Sequence, residues 1–113
     1  MMDSEGVWSV EVKGPYGWER IATAFMKDGQ YLGAGANHYS VGRYKEEGDN
    51  LELSLNTRQH ANLRTVFGVR SADTMQITYQ CKIKKTKISA EGTAKGKEKF
   101  KLQIRLTRLD ELK

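Results

Sequence analysis

A chain of 113 residues with 38% apolar and 29% charged side chains has material for one globular domain, residues 1–113, and too little for two. Its single cysteine, Cys81, excludes an intrachain disulfide, and no run approaches the roughly 18 apolar residues of a membrane helix. The formal charge of +5 is uneven, because residues 82–113 hold eleven Lys/Arg against four acids while residues 1–81 hold eight against ten. The opening residues MMDSEGVWSV contain neither a basic n-region nor an apolar h-region. A soluble protein of the reducing cytoplasm, without a membrane partner, is the expectation.

Period-2 alternation is the dominant signal along the chain. VWSVEVK sets Trp8, Val10 and Val12 on one face and Ser9, Glu11 and Lys13 on the other, which predicts a half-buried strand. GPYG at 14–17 is a turn, with Pro15 fixing φ and Gly17 free to take positive φ. WERIATAFMK predicts a second strand whose inward face is ambiguous, since Ile21 and Phe25 oppose Ala22, Ala24 and Met26. Asp28-Gly29 is a type I′ hairpin signal that pairs residues 18–27 with 30–36.

HYSVGRYK is the next strand, and EEGDN turns it into LELSLNTR, where Leu51, Leu53 and Leu55 alternate with Glu52, Ser54 and Asn56. QHANLR reads as a polar connection, TVFGVR as a short apolar segment and SAD as a turn. TMQITYQCKIK then places Met75, Ile77, Tyr79, Cys81 and Ile83 on one face, which makes Cys81 a small buried hydrophobe. TKISAEGTAK follows a lysine-rich bend at 84–87. KFKLQIRLTRL sets Phe100, Leu102, Ile104 and Leu106 against Lys99, Lys101, Gln103 and Arg105. With no helix, repeat or linker, this order predicts an all-β fold: a single eight-stranded antiparallel up-and-down β-barrel, in which closure removes the exposed edges.

The stretch DGQYLGAGANHYSVGRY resembles a phosphate-binding glycine loop only superficially. Such a loop lies between a strand and a helix, whose N-terminus supplies the amides, whereas Gly33 and Gly35 precede another strand. Gly33 and Gly35 are instead expected on one strand face, admitting bulky neighbours such as Trp8 or Tyr39.

Catalysis has no support. His38 and His60 are isolated, no spacing suggests a metal site, and no nucleophile, base and orienting residue stand together. Neither enzyme activity nor a cofactor or metal is expected. The lysines between 82 and 101 suit phosphate contact, but single-strand binders also use exposed aromatic platforms. Residues 82–113 contain only Phe100, in the apolar register, so nucleic acid is not the expected partner.

An apolar barrel interior admits a small hydrophobic ligand as an alternative function. Trp8, Val10, Phe25 and Met75 are candidates to line such a space, with Gly33, Gly35, Tyr39 and Phe100. Whether they pack solid or leave a cavity is open in the sequence.

The ordered series K-D-G, Y-x-V-G-x-Y, V-F-G, G-T-A and R-L-T-R-L, running from about Gly6 to Leu109, resembles the GrlR-like family, negative regulators associated with bacterial type III secretion. The resemblance implies a lipocalin-like (calycin-type) barrel, a homodimer, and action by protein contact with a transcriptional activator rather than by catalysis. It also implies a partner-binding role for the acidic turn, here Glu46, Glu47 and Asp49, with Gly48 interrupting the run.

Overall fold

The chain closes on itself. In the computed structural model, which describes residues 4–14, 16–36, 38–59 and 75–110, eight antiparallel strands form a closed barrel in sequence order. They are β1 (Gly6–Gly14), β2 (Gly17–Lys27), β3 (Gln30–Ala34), β4 (His38–Glu47), β5 (Asn50–Gln59), β6 (Met75–Lys84), β7 (Lys87–Ala94) and β8 (Lys97–Asp110). Pairing of β1 with β8, from Val7 opposite Asp110 to Val12 opposite Ile104, completes the ring. The expected lipocalin-like eight-stranded barrel is the observed architecture.

Alternation decides which side chains enter. Trp8, Val10 and Val12 on β1, Leu51, Leu53 and Leu55 on β5, and Ile77, Tyr79, Cys81 and Ile83 on β6 are all buried. Their neighbours in sequence, among them Lys82, Lys84, Glu52 and Gln80, are exposed. An apolar interior with a charged exterior is the reverse of a membrane-spanning barrel, whose outer band is apolar. No helix long and apolar enough to cross a membrane occurs among the described residues.

The turns follow their chemistry. Asp28 and Gly29 adopt φ of 52° and 77°, as a type I′ turn requires, and Lys27 pairs with Gln30 across it. The acidic turn is tighter than EEGDN suggests: β4 runs through Glu47 and β5 resumes at Asn50, so only Gly48 and Asp49 form the bend. Gly14 pairs with Gly17 around the first turn, and Pro15 lies outside the described residues. The segments QHANLR, TVFGVR and SAD also lie outside them, apart from Gln59 at the end of β5.

The ambiguous face of β2 has a structural cause. Val10 pairs with Ala22 but Glu11 pairs with Arg20, so Ile21 is an extra residue in a bulge and the alternation changes phase there. Beyond the bulge Ala24 and Met26 face inward, and Phe25 faces outward at 45% exposure. Phe25 is therefore not a cavity-lining residue.

Glycine works differently from the expectation as well. The neighbours of the glycine stretch are not Trp8 and Tyr39: a Cβ on Gly33 would lie 2.9 Å from the Tyr31 hydroxyl, and one on Gly35 would collide with the Ile21 carbonyl. Strand β3 ends at Ala34, and Gly35 sits in the connection to β4 with its amide bonded to the His38 carbonyl at 2.9 Å. A parallel case lies across the barrel, where Gly92 pairs with Tyr79 and a Cβ on it would strike the Tyr79 ring. An inward tyrosine over a small residue fills a barrel of fixed width.

Gly92→Ala should therefore force the buried Tyr79 ring aside and cost about 1–3 kcal/mol, as overpacking typically does. Urea unfolding measures it, and an unchanged midpoint would mean that Tyr79 yields freely.

Candidate functional site

Three features of the barrel are suited to binding: an internal cavity, a capped end and an outer apolar row.

The cavity measures about 190 Å³ and lies toward the end of the barrel that carries the β3–β4 connection, since Ala36 and His38 belong to its wall. Its apolar wall includes Val10, Leu55 and Ile104. Its polar wall includes Tyr31, Tyr79, Ser40 and Thr57, with Arg20 contributed by the start of β2. Ser40 Oγ and Thr57 Oγ1 are 2.7 Å apart and share a hydrogen bond, so one hydroxyl donates and the other keeps its own hydrogen.

Tyr31 and Tyr79 are 5% and 4% exposed. Burial pushes both phenols well above their ordinary range, with Cys81 adding to each and Tyr31 adding to Tyr79. Both remain neutral hydroxyl donors across the physiological range. Neither hydroxyl bonds a described residue. Burial likewise pushes the Cys81 thiol up to about 12, with Glu52 a smaller cause, and a neutral buried thiol is a poor nucleophile.

The opposite end is closed by the residues ahead of β1. The buried Ser4 gives its amide to Glu46 Oε1 at 3.0 Å, and its hydroxyl donates to the same oxygen. Trp8 Nε1 donates to the Ser4 carbonyl at 2.9 Å, and the Asp28 amide donates to Glu5 Oε2 at 3.1 Å. Arg108 stacks 4.5 Å from the Trp8 ring centroid and donates to the Glu5 carbonyl. The Tyr44 hydroxyl is sealed near this cap, close to Ser4 and Gly29. Of the three acids expected to bind a partner, Glu46 is thus half-buried and holds the cap, while Glu47 and Asp49 are exposed at the hairpin tip.

On the outer wall, register aligns Val7 with Phe25, Phe25 with Leu32, and Leu32 with Val41. Phe25, Leu32 and Val41 are 45%, 49% and 41% exposed, forming an apolar row across β2, β3 and β4 with Lys27 and Arg43 beside it. The opposite wall, β6 to β8, is basic and polar, and where β8 meets β1 and β2 Arg105 pairs with Glu11 at 2.9 Å and stacks 4.3 Å from the Trp18 ring. Arg105 holds the Glu11 carboxyl below its usual range.

Of the residues expected to line a cavity, Val10 and Gly33 do. Trp8 is buried core at the capped end, and Met75 packs against the core. Tyr39 shares the outward register of Ala34 and is half-buried. Gly35 makes room for the Ile21 carbonyl, and the Phe100 side chain lies outside what is described, although its backbone belongs to β8. The sequence reading missed Tyr31, which shares the inward face of Gly33 two residues on, and the Ser40–Thr57 pair. No group of three or more metal-ligating side chains occurs among the described residues. No protein-family model and no curated protein matches the chain.

The buried acids set a pH dependence. An unfolded cysteine ionises near pH 8.5, whereas folded Cys81 holds its proton to about 12, so the folded state binds more protons between these values and loses stability as pH rises through them. Tyr31 and Tyr79 act in the same direction above about pH 10. Between about pH 8 and pH 10 unfolding free energy should fall by about 1–2 kcal/mol from the thiol, and Cys81→Ala should flatten that decline. Urea titrations at the two pH values test this, and equal slopes in both proteins would show that the thiol does not contribute.

Proposed function

We propose that the chain is a non-enzymatic, cytoplasmic regulatory binding protein of the GrlR-like kind, self-associating as a homodimer and acting by contact with a transcriptional activator. The outer apolar row carries this reading. Three large apolar side chains aligned by register and left two-fifths or more exposed cost solubility in a lone barrel and favour burial against a protein surface. A second copy of the chain is the occupant that the resemblance implies. The hairpin tip supports the activator contact, because Glu47 and Asp49 are exposed carboxylates and nucleic-acid-binding proteins carry basic surfaces that such a tip attracts. Glu46 contributes less to such a contact, since Ser4 already occupies its carboxylate.

A second reading, a barrel that holds a small molecule, is favoured by the internal cavity.

Leu32→Glu places a charge at the centre of the row without entering the core, and should weaken self-association by tenfold or more while leaving the thermal transition within a few degrees. Sedimentation equilibrium of wild type and variant decides it. A wild-type chain that stays monomeric at high micromolar concentration would remove the homodimer, and identical association in the variant would move the interface elsewhere. Glu47→Lys with Asp49→Lys should abolish capture of the activator from the host lysate without changing the protomer count.

A further inference from the structure

The cavity has a size and a polarity that specify its occupant more closely than the word hydrophobic. A dry cavity of about 150 Å³ takes up benzene, and sites for drug-sized molecules begin near 300 Å³. At about 190 Å³ this one suits a single ring with a short substituent and is too small for a fatty acyl chain.

The polar wall offers hydroxyl donors, with His38 beside them. The Tyr31 and Tyr79 side chains are almost wholly buried, and no described residue bonds their hydroxyls. The Ser40–Thr57 pair retains one hydrogen beyond the bond between them. Arg20 adds a cation at the rim, where its Nη2 lies 3.5 Å from Thr23 Oγ1 and its charge also acts on Glu11 across the β1–β2 register. No Asp or Glu is found among the described wall residues. Such a wall attracts an oxygen acceptor and repels an ammonium group.

We propose that the cavity binds a single-ring organic acid of about the size of benzoate, its ring against Val10, Leu55 and Ile104 and its carboxylate accepting from the Tyr31 and Tyr79 hydroxyls. The inference rests on the second reading above and names its ligand class. Tyr31 and Tyr79 then select the acceptor, Arg20 favours entry of the anion, and the glycines beneath the two rings hold them over the cavity.

The test uses three probes of matched size, benzoate, toluene and benzylammonium, titrated into the isotopically labelled full chain and followed by amide NMR. Wild type should show saturable shifts at Gly33, Ser40 and Thr57 with benzoate, weaker ones with toluene and none with benzylammonium. Tyr31→Phe and Tyr79→Phe should each weaken benzoate about tenfold and leave toluene unchanged, as the loss of one charge-assisted hydrogen bond requires. Without ligand both variants should melt within a few degrees of the wild-type temperature, because no described residue bonds either hydroxyl. Equal binding of toluene and benzoate, indifferent to both substitutions, would overturn the inference and leave the small-molecule reading standing. Silence with all three probes would overturn both. Benzoate shifts confined to the outer face around Arg20 would identify adventitious surface binding only, and a fall of several degrees in the melting of either variant would assign the hydroxyls to structure.

Discussion

Closure of β1 onto β8 is the constraint from which the other features follow. Once eight strands are joined in a ring, the interior has a set width, and side-chain volume must be distributed to suit it. At one end Trp8, Met26 and Leu51 are fully buried. Toward the other, two tyrosines enter the same width and need neighbours without side chains: Gly33 beneath Tyr31 and Gly92 beneath Tyr79. The rings are planar and the barrel section is round, and the space left over is the cavity.

The capped end shows how a surface charge becomes part of the fold. Glu46 stands in a run of acids that reads as solvated, yet the amide and hydroxyl of Ser4 both donate to it, and the Ser4 carbonyl in turn accepts from the Trp8 indole. Buried donors need acceptors, and a carboxylate is a strong one. The chain from Glu46 through Ser4 to Trp8 links the β4–β5 hairpin to the first strand. It therefore divides the acidic turn into one structural carboxylate and two exposed ones.

The fold was legible because its signal is long-range and redundant. Each strand carries apolar residues two apart or a turn pair such as Asp28-Gly29, and any one could be misread without changing the order. The failures have local causes. In β2 a single inserted residue, Ile21, reverses the alternation, so Phe25 looked inward on a strand whose phase changes mid-course. Gly35 seemed to continue β3, but its neighbour is a backbone carbonyl that only three-dimensional packing brings near. The role of Glu46 depends on Ser4, 42 residues away, and no spacing rule reaches that far. Tyr79 was legible as an inward residue, whereas the cavity that it shares with Tyr31 is a property of the assembled interior.

Strand β3 joins the two candidate binding surfaces. Its five residues alternate, so Tyr31 and Gly33 face the cavity while Leu32 faces the outer row. Adjacent residues of one strand share its backbone, so the same short segment places Tyr31 inside and Leu32 outside. The strand is held on both flanks, by β2 and by β4, and those neighbours contribute Phe25 and Val41 to the row and Ala22 and Ser40 to the cavity wall. These three strands therefore face both surfaces, while β1, β5, β6 and β8 complete the cavity wall with Val10, Leu55, Tyr79 and Ile104. The basic wall of β6, β7 and β8 bears no large apolar side chain at comparable exposure among the described residues apart from Leu109 at its edge, which leaves the β2–β4 wall as the side on which inner and outer chemistry are coupled.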